Sequence, residues 1–407
     1  MSNDIHDIRM SRRTFVWTIG SLSAMAVVGG ANFALAAANP AAEKPATEGK
    51  AVVSAAWLDK GDTSDALFRN MVEKATDFSW LKPKDTVLVK LAMNSGNQFP
   101  ATTDPWALDC ILKLLKDKGA AKILVGDQSG VRNVYWTPAG QQRGSSRDFA
   151  RNTGLLQVIE ANGATPVFFE ERGYDAYIAV TPKDGHWKSP MYITSLINEV
   201  DHIVNMPRVG SHGLADVTGG IKNAVGFLRE DSRRLLHTGG ADFYAMFEEI
   251  NEVPEIKSKM RLTVSSGRKV MSLVGPDAGY VVEPNSAPVF ASANLLAHEL
   301  YAYAFLQYCR AKLTPTPASN PDIQGDLWEV MKMRTQRNRG FVKYVWGLEA
   351  EQVPELPVFQ PGEIYRHPAI QNYIRLNPQA QLTFSVVELK QSSDKDIGEY
   401  MQRQLAV

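Results

Sequence analysis

Cysteine is scarce in this chain: there are two in 407 residues, Cys110 and Cys309. Two thiolates cannot complete a four-cysteine zinc site or hold an iron–sulfur cluster alone, so no iron–sulfur cluster is expected. Net charge is missing as well. The 44 Lys and Arg balance 44 Asp and Glu, whereas a nucleic-acid binder normally carries a basic excess, so nucleic acid is not an expected partner. No internal repeat is present, and no apolar run long enough to span a membrane follows the first one. What is there is an ordinary globular mixture, 44% hydrophobic and 22% charged. The length fits roughly two or three domain-sized units, or one large α/β domain with additions.

The first apolar run carries an address. Ser11, Arg12 and Arg13, followed by Thr14-Phe15-Val16, resemble a twin-arginine export signal, and Ala34-Leu35-Ala36 and Ala36-Ala37-Ala38 both fit an A-x-A cleavage site. The other reading is a retained anchor, but Gly29-Gly30 interrupts the run and small residues follow at once. Residues 1–38 are therefore expected to be a signal peptide and 39–50 a flexible lead. This implies the twin-arginine translocase as a partner during export, a periplasmic location, and no stable membrane span after cleavage.

From Ala51 onward strand and helix patterns alternate. "TVLVK" ends at Lys90, and "TTDPWALDCILKLLKDKG" follows with Thr103 as an N-cap and an apolar stripe through Ala107, Cys110, Ile111, Leu114 and Leu115. "AKILVGD", "TPVFFEE", "DHIVNM", "KVMSLVG" and "PVFAS" read as further strands, and "NLLAHELYAYAFLQYCRAKL" as a long helix. Apolar runs without alternation, separated by helices, predict an α/β fold: a mostly parallel sheet with helices on both faces. This core is expected over 51–313. Residues 314–407 read as a smaller C-terminal extension with linker segments and an edge strand in "QLTFSVVEL". The basic run Arg334, Arg337, Arg339 and Lys343 reads as a solvated face.

In open parallel sheets, ligands sit beyond the carboxyl ends of the strands. Lys90 and Asn94 follow the first strand and Asp127 the second. Asn205, Arg208, His212, Thr218, Lys222 and Asn223 follow "DHIVNM". In "NMPRVGSHGLADVTGGIKNAVGF", Pro207 fixes the exit from the strand, Gly210 and Gly213 flank His212, and Gly219-Gly220 leave room for an anion at a helix start. The segment therefore reads as a loop across a cleft, with His212, Lys222 and Asp127 as catalytic candidates. Lys90, Asn94, Asn205, Arg208, Thr218 and Asn223 are the ligand-binding candidates. Each has a plain alternative: a loop histidine bonded to backbone, a lysine solvating a helix start, an aspartate capping a turn. His186, His202 and His298 read as structural and His237 as a weak candidate. The two cysteines read as buried thiols, with a disulfide open only if the helix geometry allows it. "VRNVYWTP" reads as a substrate wall or a packed lid.

The arrangement also resembles a family. "VLVKLAMNSGNQFPATTDPWALDCILKLLKDKGAAKILVGDQSG" and "DHIVNMPRVGSHGLADVTGGIKNAVGF" are similar to the two signatures of the domain-of-unknown-function family DUF362, over roughly Ala51 to Leu313. The resemblance implies an α/β domain with a polar cleft and no particular reaction. The chain departs from the family in lacking a cysteine-clustered insert and in a longer spacing between Lys90 and Asn94; Asn294 and Glu299 occupy the places where acidic residues are usual, so that Asn294 departs from the pattern. Two functions remain open. One is a periplasmic enzyme acting on a small anionic or carboxylate ligand, with or without a divalent metal. The other is a non-catalytic binding protein that carries a ligand or metal for another component.

Replacing Arg12 and Arg13 together by Lys is expected to hold the precursor in the cytoplasm with its fold intact. Cell fractionation reads the outcome; normal amounts of processed periplasmic protein would overturn the export signal.

Overall fold

The strand segments are buried on both faces, and neighbouring residues enter different cores. In "TVLVK", Val87 and Val89 pack in one apolar cluster and Leu88 in the other; the same split places Val125 opposite Leu124 and Val204 opposite Ile203. That is why these runs show no polar alternation. The computed structural model describes residues 51–182, 185–237, 242–277, 279–313, 316–317, 363–380 and 382–406. The export segment, the flexible lead and the basic run after Leu313 lie outside the described residues.

The strands are β1 (Ala51–Asp59), β2 (Thr86–Leu91), β3 (Lys122–Gly126), β4 (Tyr135–Thr137), β5 (Gly140–Arg143), β6 (Thr165–Pro166), β7 (Tyr177–Val180), β8 (Met191–Thr194), β9 (His202–Met206), β10 (Gly210–His212), β11 (Asp216–Thr218), β12 (Met260–Ser266), β13 (Val270–Val274), β14 (Gly279–Val282), β15 (Ser286–Ser292), β16 (Thr316–Pro317) and β17 (Phe384–Glu388). The main sheet has the order β17-β1-β15-β12-β9-β2-β3-β6. Every neighbouring pair in it is parallel except the two that involve β15. The fold class is thus the expected one, a mostly parallel sheet between helices.

Three strand readings change. "KVMSLVG" contributes β13 to a second sheet, β11-β10-β13-β14-β16, and "PVFAS" runs antiparallel in the first. The reason is connection length. Only Gly267, Arg268 and Lys269 separate β12 from β13, whereas a parallel crossover within one sheet needs about a dozen residues or more. "TPVFFEE" pairs only at Thr165-Pro166 and then turns into a short 3₁₀ helix, Phe169–Arg172; proline cannot donate to a ladder and ends up at the sheet edge.

The helices that matter for the site are α1 (Asp65–Ala75), α2 (Pro105–Asp117), α3 (Ser146–Asn152), α4 (Leu155–Ala161), α5 (Glu230–His237), α6 (Phe243–Asn251), α7 (Pro254–Lys257) and α8 (Leu295–Lys312). Asp104, not Thr103, caps α2, accepting from the Trp106 N–H. Thr103 instead donates to the Met206 carbonyl at 2.7 Å and accepts from the Ala92 N–H at 2.8 Å, tying the ends of β2 and β9 together. Asn294 caps α8 through the Ala297 N–H. Helix α8 is buried from Leu296 to Cys309 and runs through the core. Both cysteines are free and buried. Cys110 belongs to one apolar cluster and Cys309 to the other, on opposite faces of the sheet, so no disulfide can join them.

The described part of the C-terminal stretch completes this core. Strand β17 adds to the β1 edge in parallel, Ala51 opposite Phe384, and Trp57 Nε1 donates to Glu388 Oε1 at 3.0 Å. Ile364, Ile370 and Ile397 are fully buried in the same cluster as α8. If this stretch is integral to the domain, Ile370→Ala destabilises the whole fold by about 2–5 kcal/mol, the usual range for a core Ile truncation. Guanidinium unfolding should show one transition with a lowered midpoint; an unchanged midpoint would mean that the core does not depend on the C-terminal segments.

Candidate functional site

Strand register brings the polar residues to one edge. Lys90 stands opposite Gly126 on β3 and Asn205 on β9, and Asn205 stands opposite Thr263 on β12. Asp127 follows Gly126 directly, so Lys90, Asp127 and Asn205 share the carboxyl edge of the sheet.

Lys90 and Asp127 are occupied with each other. Lys90 Nζ lies 2.7 Å from Asp127 Oδ1 and also donates to the Leu91 carbonyl at 2.8 Å. Asp127 Oδ1 accepts from the Gln128 N–H and Oδ2 from the Met93 N–H, each at 2.8 Å. Lys90 is fully buried and Asp127 nearly so. Burial pulls the lysine below its ordinary range, and the Asp127 charge opposes that pull. Gly226 closes the space above them: a Cβ there would come within 2.2 Å of Asp127 Oδ1 and 2.3 Å of Lys90 Nζ. The expected roles, Asp127 in catalysis and Lys90 on a ligand, need free polar atoms. The structure instead spends those atoms on pinning the turns after β2 and β3.

The segment after β9 is a buried hairpin rather than a loop across a mouth. Strands β10 and β11 pair with Gly210 opposite Thr218 and His212 opposite Asp216, and β10 adds to β13. The bend rests on Asp216, whose φ is 60°. Arg310 from α8 holds it, donating to the Asp216 carbonyl at 2.9 Å and to Ser211 Oγ at 2.7 Å, while the Tyr303 hydroxyl donates to Asp216 Oδ2. Thr218 lies buried within this pairing. The Asn205 amide donates to the Gly220 carbonyl at 3.0 Å and accepts from Asn223 Nδ2 at 2.7 Å, so the two asparagines lash the strand end to the next turn.

Gly219 and Gly220 make room for the protein's own carboxylate. Glu299 Oε2 accepts the Ile221 N–H at 3.1 Å, and a Cβ on Gly219 would fall 2.5 Å from Glu299 Oε1. Burial raises the Glu299 carboxyl to about 7, against the two backbone N–H groups of Gly220 and Ile221. The expected anion position at this helix start is therefore filled internally, by the residue that stands where the resemblance expects an acidic group.

His212, Lys222 and Arg208 remain. His212 Nδ1 accepts from the N–H groups of Leu214 at 3.1 Å and Ala215 at 3.2 Å, which fixes the neutral tautomer with its proton on Nε2. Burial first, then the charges of Lys222 and Arg208, hold its pKa well below the ordinary histidine range. The expected acid/base role for His212 would require breaking both backbone bonds; as held, the ring is a hydrogen-bond donor. Lys222 opens the 3₁₀ helix Lys222–Phe227. Its side chain is half-buried, and burial together with Arg208 and Arg233 brings its amine down to about 7, with Asp277 opposing. No hydrogen bond or ion pair to its amine is found among the described residues. Arg208 is buried, and among the described residues its guanidinium makes one long hydrogen bond, 3.4 Å to the Pro100 carbonyl. Burial lowers it to about 10 despite Asp277 nearby.

Sequence reasoning missed Arg233 and gave Asp277 no role. Arg233 on α5 donates to the carbonyls of Gln128, Ser129, Gly226 and Leu228, and so ties together two segments distant in sequence. In "EDSRRLLH" it reads as an exposed helix charge, and nothing local marks it as buried. Asp277 accepts from Asn94 Nδ2 at 2.5 Å and Asn133 Nδ2 at 3.2 Å, while its carbonyl accepts from Asn97; Asn94 thus holds Asp277 rather than facing open space. His237 donates Nδ1–H to the Arg233 carbonyl at 2.6 Å and is pushed down to about 3 by burial and Lys222. His202 sits between Asp85 and Arg261, His186 meets Glu249, and His298 stacks on Phe290. Among the described residues no three His, Cys, Asp or Glu side chains are grouped to hold a metal ion.

The family model described as "Domain of unknown function (DUF362)" matches residues 87–304. Two solved structures are similar. One is the lactate racemase apoprotein of Thermoanaerobacterium thermosaccharolyticum, at 12% identity over 87% of this chain and 86% of that one, with a TM-score of 0.41. The other is a Thermotoga maritima protein, at 14% identity over 57% of this chain, with a TM-score of 0.37; the match spans 55% of that chain's length. No curated protein matches the sequence.

The Lys90–Asp127 geometry makes a direct prediction. Asp127→Asn leaves a buried lysine without its counter-charge and should cost about 3–5 kcal/mol, read by urea unfolding. A double variant, Lys90→Met with Asp127→Leu, should recover part of that loss. A stable Asp127→Asn protein would mean that Asp127 is not the structural partner described.

Proposed function

The chain belongs to the DUF362 family, and we propose that it is an enzyme that binds a small organic anion at the carboxyl edge of its sheet and uses Lys222 to move a proton on it. One observation carries the reading. Buried Arg208 and half-buried Lys222 lie within electrostatic reach of each other with almost no partners among the described residues, beside Arg233, whose hydrogen bonds go to neutral carbonyls. Asp277 is the carboxylate facing them once Asp127 is paired with Lys90. An uncompensated buried charge is costly, and a bound anion supplies the compensation. An amine near 7 is divided between its two forms at neutral pH, as a general base or acid requires. The His212 Nε2–H, held in one orientation, is suited to donate to an oxygen that gains negative charge. In this scheme Arg208 anchors the anion, Lys222 transfers the proton and His212 stabilises the developing charge. The export signal, if it acts, places this chemistry in the periplasm.

A second reading has its own support. His212 is locked, Asp127 is engaged, and Lys222 is left without a second proton-transfer group, which also fits a binding protein that holds the anion without turnover. Product formation from the bound anion separates the two.

The Lys222 amine fixes the sign of two pH effects. Its folded pKa, about 7, lies below the ordinary 10.5. Without ligand, the folded chain binds fewer protons than the unfolded one between these values, so stability rises with pH through that window. Lys222→Met should flatten the rise. Anion binding favours the charged amine, so at pH 8 it should take up a proton. Titration calorimetry in Tris and in HEPES measures this as a buffer-dependent enthalpy. Equal enthalpies in both buffers, or anion affinity unchanged in Arg208→Met, would defeat the reading.

A further inference from the structure

A second group of buried polar atoms surrounds the turn that follows Asp127, linked to the cation pair through Arg233. Gln128 and Ser129 run between two buried glutamates. On one side the Ser129 N–H donates to Ser146 Oγ at 2.9 Å, and the Ser146 N–H donates to Glu170 Oε1 at 2.8 Å. On the other side the Ser129 carbonyl accepts from Arg233, one turn along α5 from Glu230. The Tyr177 hydroxyl donates to Gln128 Oε1 at 2.5 Å and lies within electrostatic reach of both glutamates. Glu170 and Glu230 are each 2% exposed and Ser129 0%. Even so, Glu170 Oε2, Glu230 Oε2 and Ser129 Oγ have no hydrogen-bond partner among the described residues. Buried polar atoms are normally satisfied, and three orphans in one neighbourhood call for an occupant.

We propose that this enclosure is a subsite for hydroxyl groups, so that the anion held by Arg208 and Lys222 is a polyhydroxylated one. The inference rests on the anion-binding reading above. The donor set selects the chemistry. Two carboxylate oxygens want donors, while the Ser129 hydroxyl can give its proton; a ligand hydroxyl both donates and accepts, and meets both needs. An ammonium group would add charge where Glu230 already faces Arg233, Arg234 and Arg143, and it could accept nothing. Arg233 joins the two regions, since it bonds the Gln128 and Ser129 carbonyls and lies within electrostatic reach of Lys222. The hairpin β4–β5 covers this side. Its outer strand is largely exposed, and it meets α5 where Arg234 lies over the Tyr135 ring at 4.5 Å.

The test compares two ring carboxylates, glucuronate and cyclohexanecarboxylate, by titration calorimetry on the full-length mature chain. Glucuronate should bind at least tenfold more tightly. Glu230→Gln and Glu170→Gln should each bring the ratio to within about twofold while leaving cyclohexanecarboxylate affinity unchanged, which also reports that the variants are folded. Ser129→Ala, which removes one hydroxyl from the backbone position that joins the two walls, should lower the ratio by severalfold. Equal binding of the two carboxylates by the parent protein, or a ratio that survives all three substitutions, overturns the subsite and leaves the anion reading standing. Failure of both carboxylates to bind overturns the subsite and the anion reading together.

Discussion

The Lys90–Asp127 ion pair is the constraint on which the cleft depends. It sits where β2 and β3 end, fully enclosed, with its charges matched and both carboxylate oxygens bonded. Desolvating two such charges is costly, and the geometry offsets that cost because both carboxylate oxygens accept hydrogen bonds. The pair therefore fixes more than itself. Through the Met93 and Gln128 N–H groups it sets the course of two turns, and through the tight space over Gly226 it sets the approach of the 3₁₀ helix that carries Lys222. Any side chain at Gly226 would push that helix away from the edge.

A second set of contacts works in the same direction from the opposite side. Glu299 on α8 reaches up to the N–H groups at Gly220 and Ile221, and Asn251 on α6 donates to the Ile221 carbonyl at 3.0 Å. The turn that presents Lys222 is thus held from below by core helices and from above by the ion pair. Arg233 adds a third tether by bonding the turns at Gln128, Ser129, Gly226 and Leu228. Rigid placement of this kind is what a binding or catalytic group needs, because small misplacements cost much of its effect. Among the described residues, Arg208, Lys222 and the Nε2 side of His212 are the groups whose bonding the scaffold consumes least.

Part of this was legible in the chain itself. Continuous apolar runs such as "TVLVK" and "DHIVNM" can be satisfied only between two apolar layers, so the buried, mostly parallel sheet followed from local composition. Because ligand edges follow strand ends, Lys90, Asp127 and Asn205 could be placed on one edge before any contact was known. The twin glycines before Lys222 read as room for a ligand anion, and that space holds the Glu299 carboxylate of the chain itself. Connection length, also readable, excludes β13 from the main sheet, although the runs in "KVMSLVG" and "TVLVK" look alike.

What the tertiary structure alone decided is which polar atoms are spent and which are free. A sequence names a carboxylate or an amide but not its partner, and the partners here are far away along the chain: Asp127 with Lys90, Asn94 with Asp277, Gly219 with Glu299, Ser211 with Arg310. Asp127 and Lys222 looked equally available as catalytic groups. One is saturated by its neighbour across the sheet and the other is left without a partner, and that difference arises from packing between segments, not from either residue's local surroundings. Arg233 shows the converse, an apparent surface charge drawn inward because two segments brought together by the fold needed one planar donor. The strand and helix pattern is a local property and could be read along the chain. The division of its polar groups into scaffold and site is set by desolvation and long-range pairing, which exist only once the chain is folded.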